Sequence, residues 1–305
     1  MAGKLSWIIS RNIQKQIKFY SCVFGFNDLK THECINLGIM QLLPSPALSN
    51  IVKHFLILES DTGGITSHRM FPDGNTGMVF HYGTPFIQYD DSQKVTHPRS
   101  FIYGQVSKFH NVVAENVGVL IVVFQPYGAY SLLGIPAHEL TDEIISLQDL
   151  WGREAVELQE KVLHADNHLT RICLIEKFLT NKLSNCAMPD GVVEKTVQLI
   201  YQFHGQVTMG QLGTLLHTGE RNLERKFRES IGVSPKHFSN TIRLQYFLRL
   251  LRNKSQDENL TTLAYESGYY DQAHLIREFK KQVGITPRKY LSDTRLLAVN
   301  FIQFS

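Results

Sequence analysis

Short apolar bursts, rather than long stripes, mark the first half of the chain. Ile51–Leu58, Met78–His81, Phe101–Tyr103 and Val117–Phe124 join β-branched and aromatic residues in strand-length runs. Between them stand Thr62-Gly63-Gly64, Pro72-Asp73-Gly74-Asn75, Tyr82-Gly83-Thr84-Pro85 and Pro126-Tyr127-Gly128, each of which reads as a turn. Many short strands with frequent turns predict a β-rich barrel or sandwich over residues 1–138. Pro72-Asp73-Gly74-Asn75 in particular has the composition of a tight hairpin turn.

After Pro136 the period lengthens. Glu139–Ile145, Leu147–Leu163 and Leu169–Leu183 are expected to be helical, with Ile172, Ile175, Leu179 and Leu183 on one face. This helical connector, residues 139–184, needs something to cover its apolar stripe. A second copy of the chain, giving a homodimer, is favoured over packing on its own β-rich domain. Residues 185–191 (Asn-Cys-Ala-Met-Pro-Asp-Gly) read as a linker, and the chain from Val192 to about Leu291 is helix-compatible almost throughout. The division expected is therefore 1–138, 139–184, 185–293 and a tail at 294–305.

Within the helical third lies a repeat. Leu223, Phe227, Gly232, Val233, Ser234-Pro235 and Phe238 recur as Leu275, Phe279, Gly284, Ile285, Thr286-Pro287 and Tyr290, each 52 residues later. Leucine and phenylalanine four apart form the buried stripe of a short helix. The glycine follows where a left-handed cap is wanted, and Ser/Thr-Pro then opens the next helix. Upstream, Thr208-x-x-Gln211 is a capping box, and His217-Thr218-Gly219 a turn. In the second copy Leu260–Ser267 is the helix and Gly268-Tyr269-Tyr270-Asp271 the turn. A helix, a short turn and a second helix make a helix-turn-helix unit, at about 208–230 and again at about 260–282. From Pro235 to about Asn253 runs one connecting helix, a rod of roughly 27 Å, which suits two recognition helices placed about one DNA turn apart. The fold class predicted is α+β, with a β-rich barrel or sandwich, a helical connector and an all-α C-terminal domain of two such units.

Charge points the same way. The chain of 305 residues carries a net +3, but residues 1–189 hold 15 basic against 17 acidic side chains and residues 190–305 hold 16 against 11. The basic excess sits with the repeat, as a polyanion-binding face requires. Hydrophobic content of 43% allows real cores, no apolar run reaches membrane-spanning length, and the N-terminus is too polar for a secretory signal. A cytoplasmic protein with no membrane partner is expected. Cys22, Cys34, Cys173 and Cys186 form no C-x-x-C pair; they are expected to be reduced, buried thiols without a zinc site. No cofactor is expected.

The two tails Gly232-Val233-Ser234-Pro235-x2-Phe238 and Gly268-Tyr269-x5-Leu275-x3-Phe279-x4-Gly284-Ile285-Thr286-Pro287-x2-Tyr290 resemble the AraC/XylS family signature over about residues 190–292. Pro72-Asp73-Gly74 and Leu132-Leu133-Gly134-Ile135-Pro136-Ala137-His138 more loosely resemble the sensor half of uncharacterised bacterial members. The resemblance implies a bacterial transcription factor that binds double-stranded DNA, often an activator that touches RNA polymerase, with a small-molecule effector or an oligomer contact assigned to the N-terminal half. Two positions depart from the pattern. Gly213 stands where a small alanine is usual, and Glu224 sits within the first recognition helix, where phosphate would repel it.

With Leu223 and Phe227 buried, Arg221, Asn222, Arg225 and Lys226 are left on the outer face. With Leu275 and Phe279 buried, Gln272, Ala273, His274, Ile276, Arg277 and Lys280 are left outward. Arg221 and Arg225 suit guanine, and Asn222 suits adenine or phosphate; Gln272 and Arg277 are the leading base readers of the second helix, with Ala273 or Ile276 against a thymine methyl, and His274 completes the base-facing set, caps its own helix or packs locally. Lys226, Lys280, Lys281, Arg288 and Lys289 are assigned to phosphates.

The N-terminal half offers less chemistry. His81, His97, His110 and His138 show no ligand spacing, and His138-Glu139-x-x-Asp142 lacks the second histidine of a zinc protease. Phe71, Phe80, Tyr82 and Phe86 read as strand core rather than a ligand cage. The rival function is a metal-binding barrel enzyme fused to a DNA-binding domain; a third is a DNA-binding module whose N-terminal half only oligomerises.

Overall fold

The computed structural model describes residues 37–90, 93–183, 188–254, 259–298 and 300–304. Its N-terminal part is built on two long strands, β2 (Val52–Met70) and β7 (His110–Phe124), paired antiparallel with Phe55 opposite Val122 and Leu58 opposite Val119. Around them lie β1 (Leu37–Leu42), β3 (Gly77–His81), β4 (Ile87–Asp90), β5 (Gln93–Thr96), β6 (Ser100–Tyr103) and β8 (Ile144–Ser146). With β9 (Thr294–Ala298) and β10 (Phe301–Phe304) added from the C-terminal residues, the sheet runs β8-β6-β3-β7-β2-β10-β9, with β1 also on β2 and the β4–β5 hairpin on β7. Alternation along the strands gives two buried faces. Phe55, Ile57, Met78, Phe80 and Val122 point one way; Leu58, Val79, Phe101, Val112 and Val119 point the other.

The first face is covered by helices α2 (Leu147–Leu163) and α3 (His168–Lys182), whose Leu147, Leu158, Val162, Ile172, Ile175 and Leu179 join its core. The connector stripe therefore packs on its own sheet, and the ground on which a dimer contact was favoured is taken up. Cys173 is on the opposite side of α3 and exposed, contrary to the buried thiol expected, because Ile172 and Ile175 take the inward positions beside it. Cys22, Cys34 and Cys186 lie outside the described residues.

Three local expectations fail for identifiable reasons. Thr62-Gly63-Gly64 is no turn: β2 continues through it, and a register shift between Asp61 and Thr66 sets an irregularity against β7 where the glycines stand. Pro72–Asn75 joins β2 to β3, but both strands pair with β7 and not with each other, so it is a crossover and not a hairpin turn. Pro126-Tyr127-Gly128 does turn, the Gly128 amide donating to the Gln125 carbonyl at 2.7 Å, and Gly128 then opens a short helix, α1 (Gly128–Leu133), where a Cβ would lie 2.5 Å from that of Phe124 and 2.9 Å from the Ile51 carbonyl oxygen. Glu139–Ile145 is not helical. A 3-10 turn spans Ala137–Leu140, Asp142 takes a left-handed φ of 62°, and Ile144–Ser146 pairs with β6.

The C-terminal part holds α4 (Gly191–Gln202), α5 (Met209–Leu215), α6 (Glu220–Ile231), α7 (Pro235–Asn253), α8 (Leu260–Glu266), α9 (Gln272–Val283) and α10 (Pro287–Ser292). The chain does not then trail away. Residues 294–305 read as a tail from the sequence, but β9 (Thr294–Ala298) and β10 (Phe301–Phe304) form a hairpin, and β10 pairs with the end of β2, Phe301 opposite Met70. No helix among the described residues is long and apolar enough to cross a membrane.

The two halves are interlocked. Phe71, immediately after β2, is fully buried among Leu244, Phe247, Leu263, Phe279 and Ile302 in the core of the second helical unit. Pro72–Asn75 enters the same seam: Gln245 Nε2 donates to the Pro72 carbonyl at 2.7 Å and Gln105 Nε2 to that of Gly74 at 3.0 Å. Below them Asp73 accepts from the backbone and side-chain amides of Asn75, and Lys53 donates to Asn75 Oδ1 at 3.2 Å. Burial pushes the Asp73 carboxyl up and the Lys53 ammonium down, as expected of an enclosed pair that water cannot solvate.

Candidate nucleic-acid interface

Each unit is built by the same local rules. Thr208 caps α5 in a reciprocal box with Gln211; after the turn, α6 runs to Gly232, which takes the left-handed conformation at φ 98°. Ser234 then accepts from the His237 amide and starts α7. In the second unit Asn259 caps α8, Asp271 caps α9, Gly284 closes it at φ 79°, and Thr286 accepts from the Lys289 amide to start α10. Leu223, Phe227, Leu275 and Phe279 are all fully buried, so the positions between them face outward. The connecting α7 has 19 residues, a rod of about 28 Å.

The outward side chains differ between the units. On α6, Arg221, Asn222 and Arg225 are exposed. Arg225 lies 3.6 Å from Glu229 and donates to Asn222 Oδ1 at 3.3 Å, while Asn222 Nδ2 reaches Thr218 Oγ1 at 3.3 Å. Lys226 is held at 2.6 Å by Asp190, the cap of α4, and that lysine holds the carboxyl below its ordinary range. Glu224 is exposed on the same helix.

On α9, Gln272, Ala273, Arg277, Lys280 and Lys281 are exposed, and His274 and Ile276 half-buried. Gln272 Oε1 accepts from Thr261 of α8 at 3.0 Å. His274 Nδ1 accepts from the Tyr270 amide at 3.3 Å, with its ring edge-on to Tyr269. Arg288 and Lys289 stand exposed in the first turn of α10. Burial, and then Lys281, lower the pKa of His237, with Asp142 opposing them, so the neutral imidazole is favoured and Lys281, not His237, carries the charge there. Tyr270, 83% exposed at the mouth of the second turn, was passed over in the sequence. The signal was there: of the paired aromatics after Gly268, only Tyr269 has a core to enter.

The N-terminal histidines do not form a comparable site. His81 and His97 are buried with rings 6.5 Å apart, His97 bonds Gln88, Gln88 bonds His110, and His138 is exposed elsewhere. Burial holds His81 near 3 and His97 near 4, as neutral imidazoles. Among the described residues no group of three or more His, Cys, Asp or Glu is placed to hold a metal. Phe71, Phe80 and Phe86 go to three separate cores, and Tyr82 donates to Glu59 at 2.8 Å, so the four form no cage.

Residues 212–293 match a family described as a helix-turn-helix domain. The C-terminal third is a helix-turn-helix domain of the AraC type. Residues 40–146 match a domain of unknown function, DUF6597. An uncharacterized HTH-type transcriptional regulator of Staphylococcus aureus is 32% identical over 98 residues, 32% of this chain but only 13% of that protein. One from Haemophilus influenzae is 33% identical over 86 residues, 28% of each chain. Among solved structures, ToxT from Vibrio cholerae covers 75% of this chain and 95% of its own at 14% identity and a TM-score of 0.44. The C-terminal domain of AraT from Geobacillus stearothermophilus covers 34% of this chain and 86% of its own at 24% identity and a TM-score of 0.32. The AraC-type domain thus coincides with the repeat, and the match over the β-rich part is to a different family model.

Proposed function

We propose that this chain is a sequence-specific transcription regulator, an activator, that reads double-stranded DNA with both recognition helices. The observation that supports it is the duplicated unit: α6 and α9 each present polar and basic side chains outward from a buried leucine and phenylalanine, and one 19-residue helix joins them. Arg221, Asn222 and Arg225 on the first helix, with Gln272, Ala273, His274, Ile276 and Arg277 on the second, are the base-facing set. Lys226, Lys280, Lys281, Arg288 and Lys289 contact phosphates, and exposed Tyr270 adds a backbone contact.

Residues 1–138 act as the sensor, and 139–184 tie it to the DNA-binding residues 185–293. Its interior keeps ring nitrogens of His68, His81 and His97 without hydrogen-bond partners, which suits a small polar effector. RNA polymerase is the partner implied for an activator. Selection from random duplex DNA by the full chain near 0.15 M salt tests the reading. Two short motifs about one helical turn apart are expected. A single motif would leave one silent unit, with Glu224 marking the first, and no enrichment would refute the proposal. The full chain is needed because Phe71 and Ile302 complete the second unit's core.

A further inference from the structure

The two recognition helices are gripped from the β-rich half at matching places. At the end of α6 the hydroxyl of Thr141 donates to the Gly232 carbonyl at 3.0 Å. At the end of α9 the guanidinium of Arg69 donates from Nη1 to the Val283 carbonyl at 3.1 Å. Val283 and Gly284 lie 52 residues after Ile231 and Gly232, so the repeat brings the same helix end to both grips. Each grip is close-fitting. A Cβ on Gly232 would stand 2.7 Å from Thr141 Oγ1, and one on Gly284 2.5 Å from Arg69 Nη1 and 2.7 Å from the Phe109 ring. Arg69 is itself fixed, with Nε donating to Asn111 at 2.8 Å and its plane over the rings of Phe109 and Phe304.

The last carbonyls of a helix have no partner within it, so a donor from elsewhere both satisfies them and fixes where the helix ends. A 12-residue helix is a rigid lever about 18 Å long, and a recognition helix reads bases mainly from its N-terminal end. Holding both C-terminal ends on the β-rich half, one from β2 and one from the 3-10 turn just before β8, fixes the distance between the two reading ends more tightly than α7 could alone. We propose that Arg69 and Thr141 are positioning residues that set the spacing of the two recognition helices, so that the β-rich half selects the separation of the two half-sites. The idea rests on the two-unit reading of DNA given above.

The test uses the full chain and the duplex it enriches from random DNA, together with copies carrying one or two base pairs inserted or removed between the half-sites. The native chain should lose at least about tenfold in affinity per base pair of altered spacing, the scale of one lost base-pair contact. Arg69→Ala and Thr141→Val should flatten that profile to about threefold or less while each half-site keeps its base preference. Arg69→Lys, which keeps a donor but not the planar stack, should fall between. Spin labels at Arg228 and Lys280, equivalent exposed positions on α6 and α9, give a second readout that needs no DNA. Their distance distribution should broaden in either variant that keeps a native circular dichroism spectrum. An unchanged distribution in both variants, or a spacing profile identical to that of the native chain, overturns the proposal. If the native chain enriches no two-part site, the two-unit reading fails, and the label distances alone decide the positioning.

Discussion

Both helix-turn-helix units bury a leucine and a phenylalanine at equivalent positions and stop their recognition helices with a left-handed glycine, yet their surroundings diverge. The first core closes on its own helices, with Val193, Val197 and Ile200 of α4 beside Leu223 and Phe227. The second is completed from outside, by Phe71 of the β-rich half and Ile302 of the terminal hairpin. Outward, α6 ties its cations to Glu229 and Asp190, whereas exposed Arg277, Lys280 and Lys281 on α9 have no acidic partner within hydrogen-bond reach among the described residues. What repeats is what a short helix needs in order to pack and stop. What differs is where each unit meets its neighbours. Duplication kept the fold of the unit and left its two surfaces to serve separate ends: the first unit draws its core from α4 and meets the β-rich half at the end of α6, while the second takes Phe71 into its core and presents the freer charge.

The largest expected effect cuts that dependence. Phe71→Ala removes a fully buried ring from the second core, at a cost of about 3–5 kcal/mol. Denaturant titration should show the loss, and hydrogen exchange should place it in α8 and α9 rather than in α5 and α6. Equal deprotection of both units would mean that they unfold as one body and that the contrast in their cores is only formal.

Next come the base readers. Arg277→Ala should weaken specific binding by about 1–3 kcal/mol and relax preference at one position. Arg225→Ala should cost less, because its guanidinium must first leave Glu229 and Asn222. Selection with each variant checks both. A larger loss from Arg225 than from Arg277 would reverse the ranking of the two units.

The units were legible in the sequence because everything that defines them is local. The leucine–phenylalanine pairs, the glycine stops and the Ser/Thr-Pro starts each act within one or two turns of chain. The interlock was not legible for the opposite reason. Phe71 meets Asn300 through a backbone hydrogen bond of 3.0 Å and the second unit through its ring, contacts separated by some two-thirds of the chain. A local hint existed at Phe301-Ile302-Gln303-Phe304, whose aromatic and β-branched residues suit a strand, but nothing in it names β2 as the partner. Similarly Arg69 and Thr141 carry no motif. They matter through the helix ends they reach, and a sequence does not display reach. In the proposed DNA-facing sets, periodicity showed which positions face outward, yet the bonds of Gln272 to Thr261 and of Lys226 to Asp190 depend on packing between helices.

A smaller effect sharpens the difference at the helix starts. Asp271 accepts from the His274 amide at 2.6 Å, while Gly219, its counterpart before α6, offers no side-chain cap. Asp271→Ala should therefore destabilise the second unit by about 1 kcal/mol, and Gly219→Ser should stabilise the first by a few tenths. Thermal melts of the two variants should move in opposite directions. A gain from Asp271→Ala would show that the side-chain cap does not stabilise the start of α9.

The smallest effect separates the lysines. A lysine that neutralises one phosphate releases its share of condensed counterions, so removing it lowers the slope of log affinity against log salt by about 0.9. Lys281 is exposed, and Lys281→Ala should show that full reduction while weakening all sequences alike. Lys226 already has Asp190 at 2.6 Å, so binding a phosphate means exchanging one anion for another, with little net release. Lys226→Ala should then change the slope by less than half as much. Asp190→Asn frees Lys226 without removing it and should steepen the slope toward the value for an unpaired lysine. If Lys226→Ala flattened the slope as fully as Lys281→Ala, the ion pair to α4 would have to open on DNA. The two units would then be electrostatically alike, and their difference would reside in the cores alone.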